Sequence, residues 1–104
     1  MIVAFSVAPS GGPADQPDGS VHDAVAAAVR VVRESGLPNR TSSMFTEVEG
    51  EWDEVMDVVK RATEAAGAFG TRVSLVLKAD IRPGRTGELD GKVERLEAAI
   101  ERAS

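Results

Sequence analysis

Apolar and polar positions alternate with a period of two in two segments near opposite ends of the chain, which predicts a β-strand in each. Residues 2–8 alternate large apolar with small side chains, and residues 73–81 begin apolar and end charged. Because successive side chains of a strand point to opposite faces, each segment has one apolar face and one mixed face. Shorter mixed segments at 39–43 and 45–49 predict two further strands. The apolar face comprises Val3, Phe5, Val7, Val73, Leu75 and Leu77, and the other comprises Ala4, Ser6, Ala8, Ser74, Val76, Lys78 and Asp80.

Three other segments carry apolar residues at helical spacing. The first helix is predicted to run from residue 20 to Gly36, and the second to begin after Gly50 and end at Gly70. Trp52 falls on the apolar stripe of the second helix, so we expect it to be a buried packing residue. A third helix is predicted over 88–102, where Glu88 and Lys92 have the spacing of a favourable ion pair.

The predicted element order is β-α-β-β-α-β-α, and its first six elements are those of the ferredoxin-like α+β fold. This topology gives a four-stranded antiparallel sheet with strand order 4-1-3-2, covered on one face by the first two helices. The seventh element is an additional C-terminal helix. With 104 residues, the chain is expected to form a single domain over 1–104.

Composition and charge exclude several classes of protein. The net charge of −5 disfavours nucleic acid as the main partner, because phosphate binding requires a basic surface. The absence of cysteine excludes a disulfide scaffold, and the single histidine, His22, makes a metal site improbable. No apolar run approaches the roughly 20 residues of a membrane span, and the N-terminus shows no cleavage signature. We therefore expect a cytoplasmic protein with no membrane partner.

The sheet face opposite the two long helices is the candidate site. Its small residues from the first strand are expected to lie between Glu47 and Glu49 on one side and Lys78 and Asp80 on the other. A floor of small side chains with charged walls can hold a small polar molecule. A solvated face, or one covered by another subunit, remains the alternative at this point.

Six short segments, in order along nearly the whole chain, carry a resemblance to a known family. They are Ile2-Val3-Ala4-Phe5-Ser6-Val7-Ala8-Pro9, Ser35-Gly36-Leu37, Val48-Glu49-Gly50, Asp53-Glu54-Val55, Lys78-Ala79-Asp80-Ile81-Arg82 and Gly91-Lys92-Val93-Glu94. Together they resemble the thiamine-binding protein family of small YkoF-like proteins. The sequence departs from the family pattern at Phe45, in the middle hairpin, and at Ile81, where the family often has a second acid.

The resemblance implies a non-catalytic protein that binds thiamine, or a related pyrimidine or thiazolium compound, at the sheet face or a subunit edge. It also implies that sheets pair into homodimers and often homotetramers, with no cofactor other than thiamine as a possible ligand. Glu49 is the strongest individual candidate, because a carboxylate can pair with the thiazolium or accept a hydrogen bond from the pyrimidine amino group. The full set of expected ligand-binding residues is Ser6, Thr46, Glu49, Lys78 and Asp80, although Thr46 has the alternation of an inward-facing residue.

Three other functions share this topology. A small oligomeric enzyme of the dimeric α+β-barrel type would need a general base, and Glu47, Glu49 and Asp80 are the candidates in the sheet pocket. An RNA-binding module would need exposed aromatic residues and a basic surface, which the composition does not favour. A purely structural homo-oligomer is the third alternative.

Overall fold

The computed structural model describes residues 1–11, 20–84 and 86–103. The prolines and glycines within 9–19 predict a turn-rich loop, and most of this segment lies outside the described residues. Within the described ranges no helix is long and apolar enough to cross a membrane. The elements are β1 (Ile2–Ser10), α1 (Ser20–Glu34), β2 (Asn39–Thr41), β3 (Thr46–Glu49), α2 (Trp52–Gly67), β4 (Arg72–Asp80) and α3 (Glu88–Ala103).

The four strands form one antiparallel sheet in the order β2-β3-β1-β4. This is the predicted strand order, and the predicted ferredoxin-like α+β fold with a C-terminal helix is confirmed. β1 lies between β3 and β4, so that Ala4 is directly opposite Glu47 on one side and Lys78 on the other. Ile2 is likewise flanked by Glu49 and Asp80.

The hydrophobic core lies between the sheet and the first two helices. α1 and α2 pack against each other and against β1. The large side chains of β1 point into this layer, as the alternation predicts, and each such fully buried valine contributes about 1.5–3 kcal/mol relative to an exposed one. The core residues are Val3, Phe5, Val7, Ala24, Ala28, Val32, Val48, Val55, Val58, Val59, Ala62 and Ala66.

Two residues assigned to buried faces are exposed instead. Trp52 is 56% exposed, because it is the first residue of α2 and lies before the turns that pack on the sheet. The expectation that Trp52 is a buried packing residue is therefore wrong. Leu75 belongs to the helix-facing side of β4 but is 44% exposed, because β4 is the edge strand of the sheet.

α3 attaches to the sheet by its N-terminal turn. Glu88 and Leu89 are buried, whereas most of the helix after them is exposed. The preceding loop includes Gly84 and Gly87, whose positive φ angles suit glycine. The predicted pairing of Glu88 with Lys92 is not formed: Glu88 pairs with Arg95, and Lys92 reaches across to the sheet.

Candidate functional site

A cavity of about 230 Å³ lies between the open face of the sheet and the first turns of α3. Its floor is formed by β1, where Ile2 and Ala4 alternate with the core residues below. The small side chain of Ala4 leaves space between its two cross-strand neighbours, Glu47 and Lys78. The lining residues are Ile2, Ala4, Glu47, Lys78, Asp80, Glu88, Leu89, Lys92 and Val93.

The charged residues that line this cavity are three carboxylates and two ammonium groups, and one of the carboxylates, Glu88, forms an ion pair with Arg95. Asp80 forms an ion pair with Lys92 of α3, and both side chains are partly exposed, at 39% and 45%. Glu47 and Lys78 form no ion pair or side-chain hydrogen bond with any residue that the structure describes. The cavity therefore has two carboxylates that are paired within the chain, Asp80 and Glu88, and one, Glu47, that is available to a ligand.

Glu49 lies beside this cavity and fixes the start of α3. One carboxylate oxygen accepts a hydrogen bond from the N–H of Glu88 at 2.8 Å, and the other accepts one from the N–H of Leu89 at 3.1 Å. Glu49 is only 6% exposed, so these bonds are formed in a largely water-excluded position. A carboxylate at a helix N-terminus satisfies unpaired amides and interacts favourably with the helix dipole.

The five residues predicted from the sequence are not all brought together. Lys78 and Asp80 line the cavity, whereas Ser6 lies on the same face farther along β1. Thr46 is directly opposite Phe5 and 8% exposed, so it lies on the helix-facing side and does not line the cavity. This correction follows from the two-residue period of the strand, which Thr46 shares with the core residue Val48.

Two lining residues are absent from the set of five predicted ligand-binding residues. Glu47 is expected on this face from its alternation, but that set includes only Glu49, its neighbour on the same face. The spacing of Lys92 predicts a pair with Glu88, because sequence spacing shows only contacts within the helix. Asp80 lies at the end of β4 and Lys92 lies on the next element, α3, and this order along the chain could have indicated their ion pair.

A second, larger cavity of about 330 Å³ lies beyond Glu49, between the start of α2 and the start of α3. Most of its acidic residues already form hydrogen bonds or ion pairs with other residues of the chain. Glu54 accepts a hydrogen bond from the N–H of Glu51, and Asp90 pairs with Arg40. The other contributors are Met1, Leu37, Pro38, Glu49, Gly50, Thr86, Gly87 and Leu89.

The fold and the open-face cavity define a class of small ferredoxin-like α+β domains with an additional C-terminal helix. The chain matches the profile of the thiamine-binding protein family over residues 3–97. This match spans most of the 104 residues, and the chain belongs to that family.

The chain is also similar to proteins from several bacteria. It is 50% identical over 98 residues to a UPF0045 protein of Mycobacterium bovis, a match that covers 93% of this chain and 91% of that protein. Among solved structures, a domain of unknown function from Bacillus cereus has a TM-score of 0.71 and 34% identity, covering 85% of this chain and 83% of the other. A candidate thiamine biosynthesis/salvage protein from Thermotoga maritima has a TM-score of 0.71 and 28% identity, with 89% and 96% covered.

Proposed function

We propose that this protein binds thiamine, or a related compound that joins an aminopyrimidine to a thiazolium ring, in the cavity on the open sheet face. The observation that carries the proposal is the combination of an available carboxylate, Glu47, with a floor that the small side chain of Ala4 leaves accessible. Membership of the thiamine-binding family supports the choice of ligand.

The proposed ligand suits the charges of the cavity. The thiazolium cation pairs with the carboxylate of Glu47, and the pyrimidine amino group donates to Asp80, displacing the ammonium of Lys92. A hydrogen bond to a charged group contributes about 1.5–3 kcal/mol. The Asp80–Lys92 pair is partly exposed, so its displacement costs little, because pairs of this kind contribute about 0.2–1 kcal/mol.

The binding is proposed to be non-catalytic. The only histidine of the chain, His22, is exposed on α1, and the open-face cavity is lined by side chains of the sheet and of α3. Nucleophilic catalysis by a serine or cysteine requires a nearby base, usually histidine, and the chain contains no cysteine. We propose a cytoplasmic carrier or sensor.

We further propose that the protein is a homo-oligomer, a dimer at least. Val76 is 54% exposed on the open face, and Leu75 is 44% exposed on the other face of the same strand. β4 is an edge of the sheet, and an unpaired edge with apolar neighbours is a surface that another chain can cover.

The test of the ligand site is calorimetric titration with thiamine. Glu47→Gln and Asp80→Asn remove one charge each with little change of shape, and each is expected to weaken binding by about 1.5–3 kcal/mol, or roughly 10- to 150-fold. The matched control is Glu54→Gln in the larger cavity, which is expected to leave the affinity unchanged.

In the same titration, Lys92→Met is expected to change the thiamine affinity in the opposite direction. It removes the competing ammonium from Asp80 and is expected to strengthen binding by up to about fivefold. Absence of thiamine binding by the wild type and by Lys92→Met would contradict the proposed function. Weakened binding in Glu54→Gln, with Glu47→Gln unaffected, would place the ligand in the larger cavity instead.

A further inference from the structure

Lys78 lines the open-face cavity but takes no part in the contacts proposed for thiamine. It lies directly opposite Ala4, and Glu47 lies opposite Ala4 on the other side, so that the two charges lie on either side of the cavity floor. Opposed residues have Cβ atoms about 4.5–5.5 Å apart, which places those of Glu47 and Lys78 about 10 Å apart. Neither side chain forms an ion pair with a residue that the structure describes. The ammonium of Lys78 is therefore available to a ligand that extends across the floor.

A second ammonium group lies near the first. Lys92 of α3 forms an ion pair with Asp80, and Asp80 is two residues from Lys78 on the same face of β4. Two residues of an extended strand span about 6–7 Å, and the lysine side chain is long and flexible. Because Lys78 and Lys92 both line the cavity, their ammonium groups can contact one small anion from two sides.

Thiamine alone would leave both ammonium groups without a counter-charge. In the proposed complex, the thiazolium pairs with Glu47, and the pyrimidine amino group takes the place of Lys92 at Asp80. Lys92 is then released, and Lys78 stays unpaired beside a ligand that is itself a cation. Like charges at close range repel, so a purely cationic ligand matches only part of the cavity. A negative group on the ligand, placed beside the two lysines, would complete the complementarity of charge.

We infer that the cavity binds its ligand as a phosphate ester, with the phosphate on the hydroxyethyl side chain of the thiazolium ring and held by Lys78 and Lys92. The inference rests on the proposed function and specifies the chemical form of the ligand. A phosphate monoester carries a charge of about −1.5 to −2 at pH 7 and has three acceptor oxygens, so it can accept hydrogen bonds from both ammonium groups at once. Lysine binds phosphate as a point charge and needs no fixed direction of approach.

The carboxylates of the cavity favour a phosphate that is joined to a cation over free phosphate. Glu47 and Asp80 repel an isolated anion, and Glu88 adds a third carboxylate, which pairs with Arg95. In the ester, the thiazolium and the amino group interact with the first two carboxylates while the phosphate binds the lysines. Lys92 then has an acceptor in both states, which is Asp80 before the ligand binds and the phosphate in the complex.

Calorimetric titrations with thiamine and with thiamine monophosphate, in phosphate-free buffer, test this inference. The quantity of interest is the phosphate preference, defined as the dissociation constant of thiamine divided by that of the monophosphate. The wild type is expected to have a preference of about tenfold, because the ester adds two charge-assisted contacts at partly exposed lysines. Inorganic phosphate alone is expected to bind far more weakly than the ester.

Variants of the cavity separate the phosphate contact from the contacts that both ligands share. Lys78→Met is expected to weaken the monophosphate about three- to tenfold without weakening thiamine, and Lys78→Arg to retain the preference because it retains the charge. Lys92→Met is expected to strengthen thiamine but not the monophosphate, so the preference falls. Glu47→Gln should weaken both ligands by the same factor, because both contain the thiazolium. Lys60→Met, at an exposed position of α2, is the matched control and should change neither affinity.

The possible failures of this inference and of the proposed function can be distinguished. A wild type that binds thiamine as tightly as the monophosphate would overturn the inference and leave the proposed function intact. A preference that persists in both Lys78→Met and Lys92→Met would also overturn it, because the phosphate would then have other contacts. Inorganic phosphate bound as tightly as the ester would overturn it by revealing an anion site that does not need the cation. Binding of neither thiamine nor its monophosphate would contradict the proposed function, and this inference with it.

Discussion

Glu49 holds two elements together through a single carboxylate. Its strand position places it at the end of β3, and its two oxygens bind consecutive amides at the start of α3. These amides have no partner within the helix, so an acceptor supplied by the sheet replaces water. Glu49 is therefore a structural residue at the edge of the candidate site, and its side chain determines where α3 begins.

We predict that Glu49→Gln loosens α3 without unfolding the core. The amide retains one acceptor but places an NH₂ group against a backbone donor, and the charge that favours the helix N-terminus is lost. The expected cost is about 0.5–2 kcal/mol, the range measured for helix caps. Hydrogen exchange measured by mass spectrometry should show faster exchange in residues 88–103, with α1 and α2 unchanged.

The matched control is Glu64→Gln, an exposed residue of α2 that forms no ion pair with a described residue. It makes the same chemical change and is expected to leave exchange in α3 unaltered. Equal protection of α3 in wild type and Glu49→Gln would mean that the two bonds from Glu49 do not anchor the helix.

The sequence predicts part of the site at this scale and misses part for identifiable reasons. Strand alternation correctly places Lys78 and Asp80 on the open face beside Ala4, because that period depends only on local geometry. The capping role of Glu49 joins residues 39 and 40 positions apart, and no local pattern encodes this distance. The spacing of Lys92 likewise predicts only a partner on its own helix, because its contact with Asp80 depends on how α3 packs on the sheet.

At the scale of elements, the junction between α2 and β4 is set by close backbone packing. α2 was predicted to end at Gly70, but the helix ends at Gly67. The next three amides bond to carbonyls three residues before them, which tightens the chain after the helix. A Cβ atom at Gly70 would lie 2.7 Å from the carbonyl oxygen of Ser10, so glycine is required by proximity to β1.

We predict that Gly70→Ala destabilises the protein by about 1–3 kcal/mol, because the neighbouring atoms belong to the backbone and cannot move without disturbing β1. The comparison is Gly91→Ala in α3, where the nearest atom is the flexible end of Arg95 at 3.3 Å. That change is expected to be neutral or to stabilise α3 by about 0.5–1 kcal/mol through helix propensity. Urea unfolding of both variants measures the difference, and equal stabilities would contradict the packing argument.

The elements themselves follow from the sequence more closely than their ends do. The apolar periods of β1 and of all three helices are long enough to specify type and order, which in turn fix the strand order of the sheet. The exposed side chain of Trp52 shows what this kind of prediction misses. A helical stripe indicates which residues share one side of the helix, but it does not indicate how far the sheet extends beneath that side.

At the scale of the whole molecule, the net charge of −5 acts on any charged ligand as it approaches. Thiamine is a cation, and the proposed cavity is partly open to solvent with Glu47 and Asp80 on its walls. The range of this attraction is set by ionic strength, since the Debye length is about 30 Å at 0.01 M and about 3 Å at 1 M. Low salt therefore exposes the ligand to the whole charge distribution, and high salt leaves only the contacts within the cavity.

We predict that thiamine binds more weakly as salt is raised from about 0.01 M to about 1 M, and that the loss is mainly in the association rate, as expected for electrostatic steering. Stopped-flow binding measures both rate constants.

The Glu34→Lys, Glu64→Lys double variant removes most of the net negative charge at exposed positions of α1 and α2 that do not line the cavity. It should slow association at low salt and match the wild type at high salt, because its cavity contacts are unchanged. If the association rate is independent of both salt and the double substitution, then the overall charge does not guide the ligand, and recognition depends on the contacts with Glu47 and Asp80 alone.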